Sequence, residues 1–160
     1  MLSQARVSVA KPRQHYATQA TRIDSDAAVL QLAGPVRGAH VLIMGANALE
    51  VMCAIQRKGA AEVTLLRQGT RPELHTADLV IAAAVASLEH AASALVHATR
   101  ALRESGRVIL QIAADPNGRL ARSVAEMLRL RGFSGVRVQP TSEATLVVGT
   151  RPWFGPIARA

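Results

Sequence analysis

The chain has 160 residues, of which 49% are apolar, 2% are aromatic and 19% are charged. This length allows one domain with a single core, and the apolar share is that of a globular protein, not a disordered one. No apolar run reaches the roughly 20 residues needed to cross a bilayer, so a membrane-spanning protein is not expected. Cys53 is the only cysteine, which excludes an intrachain disulfide and fits a reducing cytoplasm.

The net charge of +8 at pH 7 comes almost wholly from arginine, since Lys11 and Lys58 are the only lysines. Arginine binds phosphate through two parallel hydrogen bonds and stacks on bases, so nucleic acid is a candidate partner. The arginines form no dense run, however, and an arginine-rich proteome alone gives the same bias. Two interpretations of the charge therefore remain open: a surface that binds a polyanion, or a bias in composition that reflects no ligand.

Three segments differ in composition. Residues 1–22 carry four Lys or Arg side chains and no acidic one, which indicates a basic N-terminal arm. Residues 23–150 contain the alternating apolar segments of one domain. Residues 151–160 form a C-terminal tail, in which Trp153 either packs back on the core or serves as an exposed anchor.

The first elements of the domain predict a helix, a strand and a tight turn. Residues 24–32 are expected to form a short helix that ends at the Gly34-Pro35 pair. Residues 41–44 form a buried strand, and Gly45 provides the turn that leaves it.

A second helix and strand follow this turn. Asn47 is expected to be the N-cap of the helix, with Glu50 as its capping-box partner and Gly59 just beyond its end. The second strand is predicted at residues 62–67.

The second half of the domain predicts a parallel crossover. A third strand enters at Asp78, and Ser87 caps the next helix. The apolar stripe of that helix, Leu88, Ala91, Leu95, Ala98 and Leu102, is typical of a face that packs on a sheet. Gly106 is expected to end the helix before a fourth strand at residues 107–112.

The last elements are a helix and a hairpin. Asp115 followed by Pro116 is expected to cap the helix, and Gly132 to end it. Strands at residues 136–139 and 144–149 flank a turn, so they should pair as an antiparallel hairpin at one edge. The pattern predicts an α/β, Rossmann-like, three-layer doubly wound sheet that is mostly parallel.

Several motifs resemble those of class I S-adenosylmethionine-dependent methyltransferases. They are Asp78-Leu79-Val80 in a strand, Leu88-Glu89-His90 at the start of a helix, Leu102-Arg103 leading to Gly106-Arg107, and Leu128 leading to Gly132-Phe133. The resemblance covers residues 39–149, and it is best in the second half. It implies the fold of this family, with the cofactor over the carboxyl ends of the first strands.

The resemblance also implies a set of cofactor-binding residues for S-adenosylmethionine. These are Gly45, Ala46, Asn47, Arg67, Ala82 and Ala83.

The glycine-rich turn and the second strand depart from the family pattern. Only Gly45 matches the family's G-x-G-x-G turn, because Asn47 and Leu49 occupy the later glycine positions and Ile43 replaces an acidic residue. The family's ribose-binding acid at the end of the second strand is replaced by Arg67. Arginine offers five donors and no acceptor, so it cannot replace a carboxylate there, although it can hold a phosphate.

A third departure concerns the adenine side of the pocket. The family places a further strand and helices between the second strand and the DLV strand. About ten residues separate Arg67 from Asp78 here, too few for a crossover with its helix and a strand. The sequence therefore predicts a domain that lacks one strand-helix unit.

No catalytic or metal-binding residues are assigned. No nucleophile, base and orienting acid stand at a recognisable spacing. His90 and His97 lie on one helix face, and His75 is a possible third ligand from another segment. A separation of seven residues is too wide for two ligands of one ion, so no metal site is assigned. Cys53 is expected to be a buried, inert thiol.

Three functions remain open. The domain has lost methyl transfer and is a binding or regulatory module, whose partner is a protein, a nucleic acid or its own second copy at the exposed sheet edge or the basic termini. Alternatively, it is a small active methyltransferase whose adenine wall comes from a second chain. The third function is a nucleotide or phosphate sensor that uses the helix N-terminus at Asn47 with Arg67 close by.

Overall fold

The computed structural model describes residues 27–152. The basic arm predicted at residues 1–22 lies outside this range, as do Trp153, Phe154 and the rest of the tail. Within the described range, no helix is long and apolar enough to cross a membrane.

Helices and strands alternate along the described residues. Their bounds are α1 (27–33), β1 (His40–Gly45), α2 (Ala48–Arg57), β2 (Glu62–Leu65), β3 (Ala77–Val85), α3 (Leu88–Ala101), β4 (Leu102–Ala113), α4 (Arg119–Leu130), β5 (Ser134–Pro140) and β6 (Ala144–Thr150).

One six-stranded sheet has the strand order β2-β1-β3-β4-β6-β5. Strands β1 to β4 pair in parallel, and β6 runs antiparallel to both β4 and β5. The predicted mostly parallel α/β sheet with a C-terminal hairpin at its edge is confirmed.

Helices cover both faces of the sheet, which gives three layers. Alternate residues of a strand point to opposite faces, so neighbours in β1 enter different clusters. Ile43 packs with α1 and α2 on one face, whereas Leu42 packs with α3 and α4 on the other. We call these the α2 face and the α3 face.

The predicted N-cap positions are confirmed for Ser87 and Asn47 and wrong for Asp115. The amide of His90 donates to the Ser87 hydroxyl at 3.0 Å, so Ser87 caps α3 as expected. Asn47 lies at the N-cap of α2 in a left-handed conformation, and its side chain makes no cap hydrogen bond. The N-cap of α4 is Gly118, not the predicted Asp115. Asp115 lies before the helix, and its carboxylate accepts a hydrogen bond from the amide of Ala121 in the first turn at 2.8 Å.

The junction between α3 and β4 also differs from the prediction. Helix α3 ends at Ala101 and β4 begins at once with Leu102, so Gly106 lies inside the strand instead of ending the helix. Leu88 is 45% exposed, whereas Ala94 and Ala101 are buried. The buried stripe of α3 is therefore shifted from the predicted one and richer in alanine.

The connection from β2 to β3 contains neither a helix nor a strand. Residues 66–76 carry the chain past β1 on the α3 face, where Leu66 packs against the core. Arg100 fixes this crossover by donating from Nε to the Pro72 carbonyl at 2.8 Å, and Arg103 Nε donates to the His75 carbonyl at 3.3 Å. The predicted absence of one strand-helix unit is confirmed within the described residues.

The N-cap of α3 gives a stability test. Ser87→Ala removes the acceptor for the His90 amide, and we expect it to lower the free energy of unfolding by about 1 kcal/mol. For a domain of this size the melting temperature should fall by about 2–4 °C. Ser93→Ala is the matched control, because Ser93 is exposed within the same helix and alanine favours a helix there. Equal melting temperatures for the two variants would contradict the cap.

Candidate functional site

The parallel strands bring several loops to one edge of the sheet. β1 and β3 are neighbours, but the chain leaves β1 toward β2 and leaves β3 toward β4, so strand order reverses between them. In doubly wound sheets ligands bind at the carboxyl ends of the strands at such a reversal. The candidate site therefore lies where β1 and β3 end.

Gly45 and Ala83 meet at this reversal. The two residues are paired in the sheet, and Gly45 has a φ of +102°. A Cβ atom on Gly45 would lie 2.2 Å from the carbonyl oxygen of Ala83. The close approach of two backbones thus requires glycine here, whether or not a ligand binds.

Ala46 and Asn47 are exposed beyond Gly45, and they are the predicted site residues most open to a ligand. Asn47 has a φ of +59°, a left-handed conformation that asparagine tolerates better than most residues. At Asn47 the backbone therefore has a conformation that favours glycine, although the residue carries a side chain. Leu49, 60% exposed, adds an apolar side chain two residues later.

Ala82 and Ala83 have buried side chains, each with 2% exposure. A ligand at this edge would reach them through the backbone only. Ala84 follows with a φ of +54°, where the register between β3 and β4 shifts.

Sequence reasoning missed the backbone conformation of Ala84 and of Ala114. Ala114 follows the end of β4 with a φ of +48°. Asn47, Ala84 and Ala114 are thus left-handed, non-glycine residues at or near the carboxyl ends of β1, β3 and β4. Such conformations cost about 1–3 kcal/mol each and cluster at ligand sites. Alanine carries no sequence signal for a left-handed conformation, so the pattern could not be predicted.

Arg67 lies just beyond β2, on the opposite side of β1 from β3. Ile43 is paired with Leu65, so extending this register by two residues places Arg67 level with Gly45. The Thr70 hydroxyl donates to the Arg67 carbonyl at 2.6 Å and closes a turn. Arg67 is exposed and has no carboxylate within ion-pair distance among residues 27–152.

The histidines and the cysteine form no metal centre within the described residues. No three His, Cys, Asp or Glu side chains come together there in a group that could hold a metal ion. His75 Nδ1 lies 3.1 Å from the Leu102 carbonyl, near the start of β4, whereas His90 belongs to the first turn of α3. Cys53 is half-buried in α2, not fully buried as expected.

Several arginines within residues 27–152 hydrogen-bond to other groups of the fold. Arg107 donates to the carbonyls of Leu32 and Ala33 at the end of α1. Arg103 pairs with Asp78 at 3.2 Å. The remaining ones with described acceptors are Arg100, Arg122, Arg129 and Arg151. Most of these guanidinium groups bond to backbone carbonyls in loops or near helix ends.

The geometry defines a doubly wound α/β domain with a candidate ligand site at the carboxyl edge of its parallel strands. No protein-family model matches the chain, and no curated protein matches it in sequence. Solved structures, in contrast, show a clear likeness of fold.

Three of these structures are methyltransferases, two of them described as S-adenosylmethionine-dependent and one solved with bound SAM. One from Mesorhizobium loti is 13% identical with a TM-score of 0.61, over 79% of this chain and 98% of that one. One from Aquifex aeolicus is 15% identical with a TM-score of 0.60, over 83% and 97%. Magnesium protoporphyrin IX methyltransferase from Synechocystis PCC 6803, with bound SAM, is 17% identical with a TM-score of 0.62, over 89% and 86%.

The chain therefore has the fold of class I S-adenosylmethionine-dependent methyltransferases. At these identities the likeness establishes the fold alone, and function depends on the site residues of this chain.

The contact between Gly45 and Ala83 predicts a loss of stability. Gly45→Ala forces a Cβ atom against the Ala83 carbonyl and strains a positive φ, so we expect it to cost about 2–5 kcal/mol. Gly38→Ala is the control, because Gly38 has a φ of +73° with nothing within 4 Å of its Cβ position. It should cost about 1–2 kcal/mol, which is the strain of alanine in a left-handed conformation. Urea unfolding measures both, and equal costs would contradict the close approach.

Proposed function

We propose that this chain is a methyltransferase-like domain with a degenerate S-adenosylmethionine pocket, and that it works as a non-catalytic binding or regulatory module. The observation that carries this proposal is the crossover of residues 66–76, which reaches β3 without a helix or a strand. In the family fold, the unit missing here supplies the adenine side of the pocket.

The ribose position supports the same proposal. A ribose presents hydroxyl groups that are held by a carboxylate through two hydrogen bonds. Arg67 follows β2 at this position, and its guanidinium has no acceptor atom. Ribose hydroxyls placed there lose the acceptor on which their orientation depends.

The turn after β1 supports it as well. Close contact with the amino-acid part of the cofactor requires a backbone without side chains. Here Asn47 and Leu49 place exposed side chains over that backbone. The glycine that remains, Gly45, is required by the carbonyl of Ala83, so its presence does not by itself indicate a cofactor.

A binding module needs a surface for its partner, and β2 offers one. Among the described strands β2 pairs with β1 only, which makes it an edge of the sheet. Its residues Glu62, Thr64 and Leu65 are exposed. An unpaired strand edge binds another strand through backbone hydrogen bonds, so a partner protein or a second copy of this chain fits here.

One observation favours a second candidate function, a small active methyltransferase completed by a second copy. The left-handed residues Asn47, Ala84 and Ala114 keep the strained carboxyl edge typical of a ligand site. In this case the second copy would supply the adenine wall beyond β2. Sedimentation velocity with and without S-adenosylhomocysteine tests it, because this candidate requires a dimer that binds the ligand.

Calorimetric titration with S-adenosylhomocysteine, alongside a thermal-shift scan, tests the proposed function. A ligand at 100 times its dissociation constant stabilises a protein by about 2.7 kcal/mol, which corresponds to about 5–10 °C here. We expect no saturable heat and no shift at millimolar ligand. Saturable binding, or methyl transfer to any acceptor by the purified chain, would overturn the non-catalytic proposal and support the second candidate.

A further inference from the structure

A cavity of about 540 Å³ lies on the α3 face of the sheet, away from the left-handed residues of the carboxyl edge. Its floor includes Leu42 and Thr64, which are paired across β1 and β2 and therefore point to the same face. Leu66, Pro72 and Ala77 add apolar surface around this floor. Its volume is within the range of small-molecule sites, roughly 300–1,000 Å³.

The cavity results from the helix-less crossover. Connections between parallel strands are right-handed, so the chain from β2 to β3 must pass over the α3 face. A helix in this connection would pack on the floor described above. Residues 66–76 span the same region as an irregular segment with turns at residues 68–69 and 74–75, which Arg100 and Arg103 hold in place, and they leave the space open.

Two arginines of the crossover line this cavity without a described ionic partner. The ion pairs among the described residues are Arg103 with Asp78 and Arg129 with Glu126, and His40 Nδ1 lies 3.1 Å from a Glu62 carboxylate oxygen. Arg67 and Arg71 take part in none of them, although both line the cavity. Arg67 and Arg71 therefore add two positive charges to the lining of this cavity.

The other polar groups limit what this charge can bind. Glu62 and Glu73 also line the cavity, and their carboxylates accept hydrogen bonds from hydroxyl groups but repel further negative charge. Glu62 is held in place by His40 Nδ1 at 3.1 Å. A polyanion is therefore disfavoured, whereas one phosphate group on a hydroxyl-bearing body satisfies both kinds of side chain.

We infer that this cavity binds a small phosphate monoester, with the phosphate group at Arg67 and Arg71 and its hydroxyl-bearing body against the floor of β1 and β2. Nucleoside monophosphates and sugar phosphates share this chemistry. The inference goes beyond the proposed function and does not depend on whether a cofactor binds at Gly45.

Calorimetry on the full chain tests the inference with adenosine 5′-monophosphate and glucose 6-phosphate as probes. The matched control probes are adenosine and glucose, which lack the phosphate group, and inorganic phosphate, which lacks the hydroxyl-bearing body. We expect at least one monoester to bind saturably, and at least about 10-fold more tightly than inorganic phosphate or its own dephosphorylated body. Which monoester binds distinguishes a nucleotide site from a sugar phosphate site.

Variants locate the binding. Arg67→Gln combined with Arg71→Gln should weaken the monoester at least about 10-fold, because each removes a charged hydrogen-bond donor. Thr64→Tyr, which fills the floor, should weaken it similarly. The control is Arg57→Gln, an exposed arginine in the last turn of α2 that does not line the cavity; its affinity should stay within about two-fold. Circular dichroism checks that each variant is folded, and Arg71→Gln alone replaces the double variant if that one fails to fold.

Three results would overturn the inference. They are no saturable binding of either monoester below about 10 mM, equal affinity for inorganic phosphate, and unchanged affinity in the arginine and Thr64 variants. Binding of S-adenosylhomocysteine would overturn the proposed function but not this site, provided that its affinity is the same in Arg71→Gln.

Discussion

The structure depends on the length of one connection. β2 and β3 lie on either side of β1, roughly 10 Å apart, and residues 66–76 must return the chain from the end of one strand to the start of the other. As a helix, 11 residues would extend only about 16 Å and leave none for the turns at either end. As an extended segment they reach up to about 36 Å. The crossover is therefore not helical but an irregular segment with two turns, and side chains of α3 and β4 hold it on the sheet.

This constraint acts on two sites at once. At the carboxyl edge it removes the unit that forms the adenine side of the family's pocket, while Gly45 stays glycine because the Ala83 carbonyl is so close. On the α3 face it leaves the cavity between the crossover and the first two strands open. Arg67 connects the two, since it follows β2 where the ribose acid is expected and also lines the cavity. In our two proposals, an arginine at position 67 disfavours the ribose of S-adenosylmethionine and favours a phosphate group in the cavity.

The mostly parallel sheet, the hairpin and the missing unit could be predicted, because alternating apolar segments indicate the elements and the length of a segment limits what it can contain. The start of α4 could not, because Asp115 caps it across intervening residues. Nor could the α3–β4 junction, where Gly106 lies within a strand. The left-handed Ala84 has no sequence signature. The cavity could not be predicted either, because Arg71 and Thr64 line it together only as a result of the path of the crossover.

One measurement addresses the central claim that the short crossover replaces the cofactor site with a cavity site. It is an amide NMR titration of the isotope-labelled chain with S-adenosylhomocysteine and, separately, with adenosine 5′-monophosphate and glucose 6-phosphate. The account predicts saturable shifts at residues 64–72 with at least one monoester, and none at residues 45–48 with S-adenosylhomocysteine. Saturable shifts at residues 45–48 with S-adenosylhomocysteine, and none at residues 64–72 with either monoester, would contradict it.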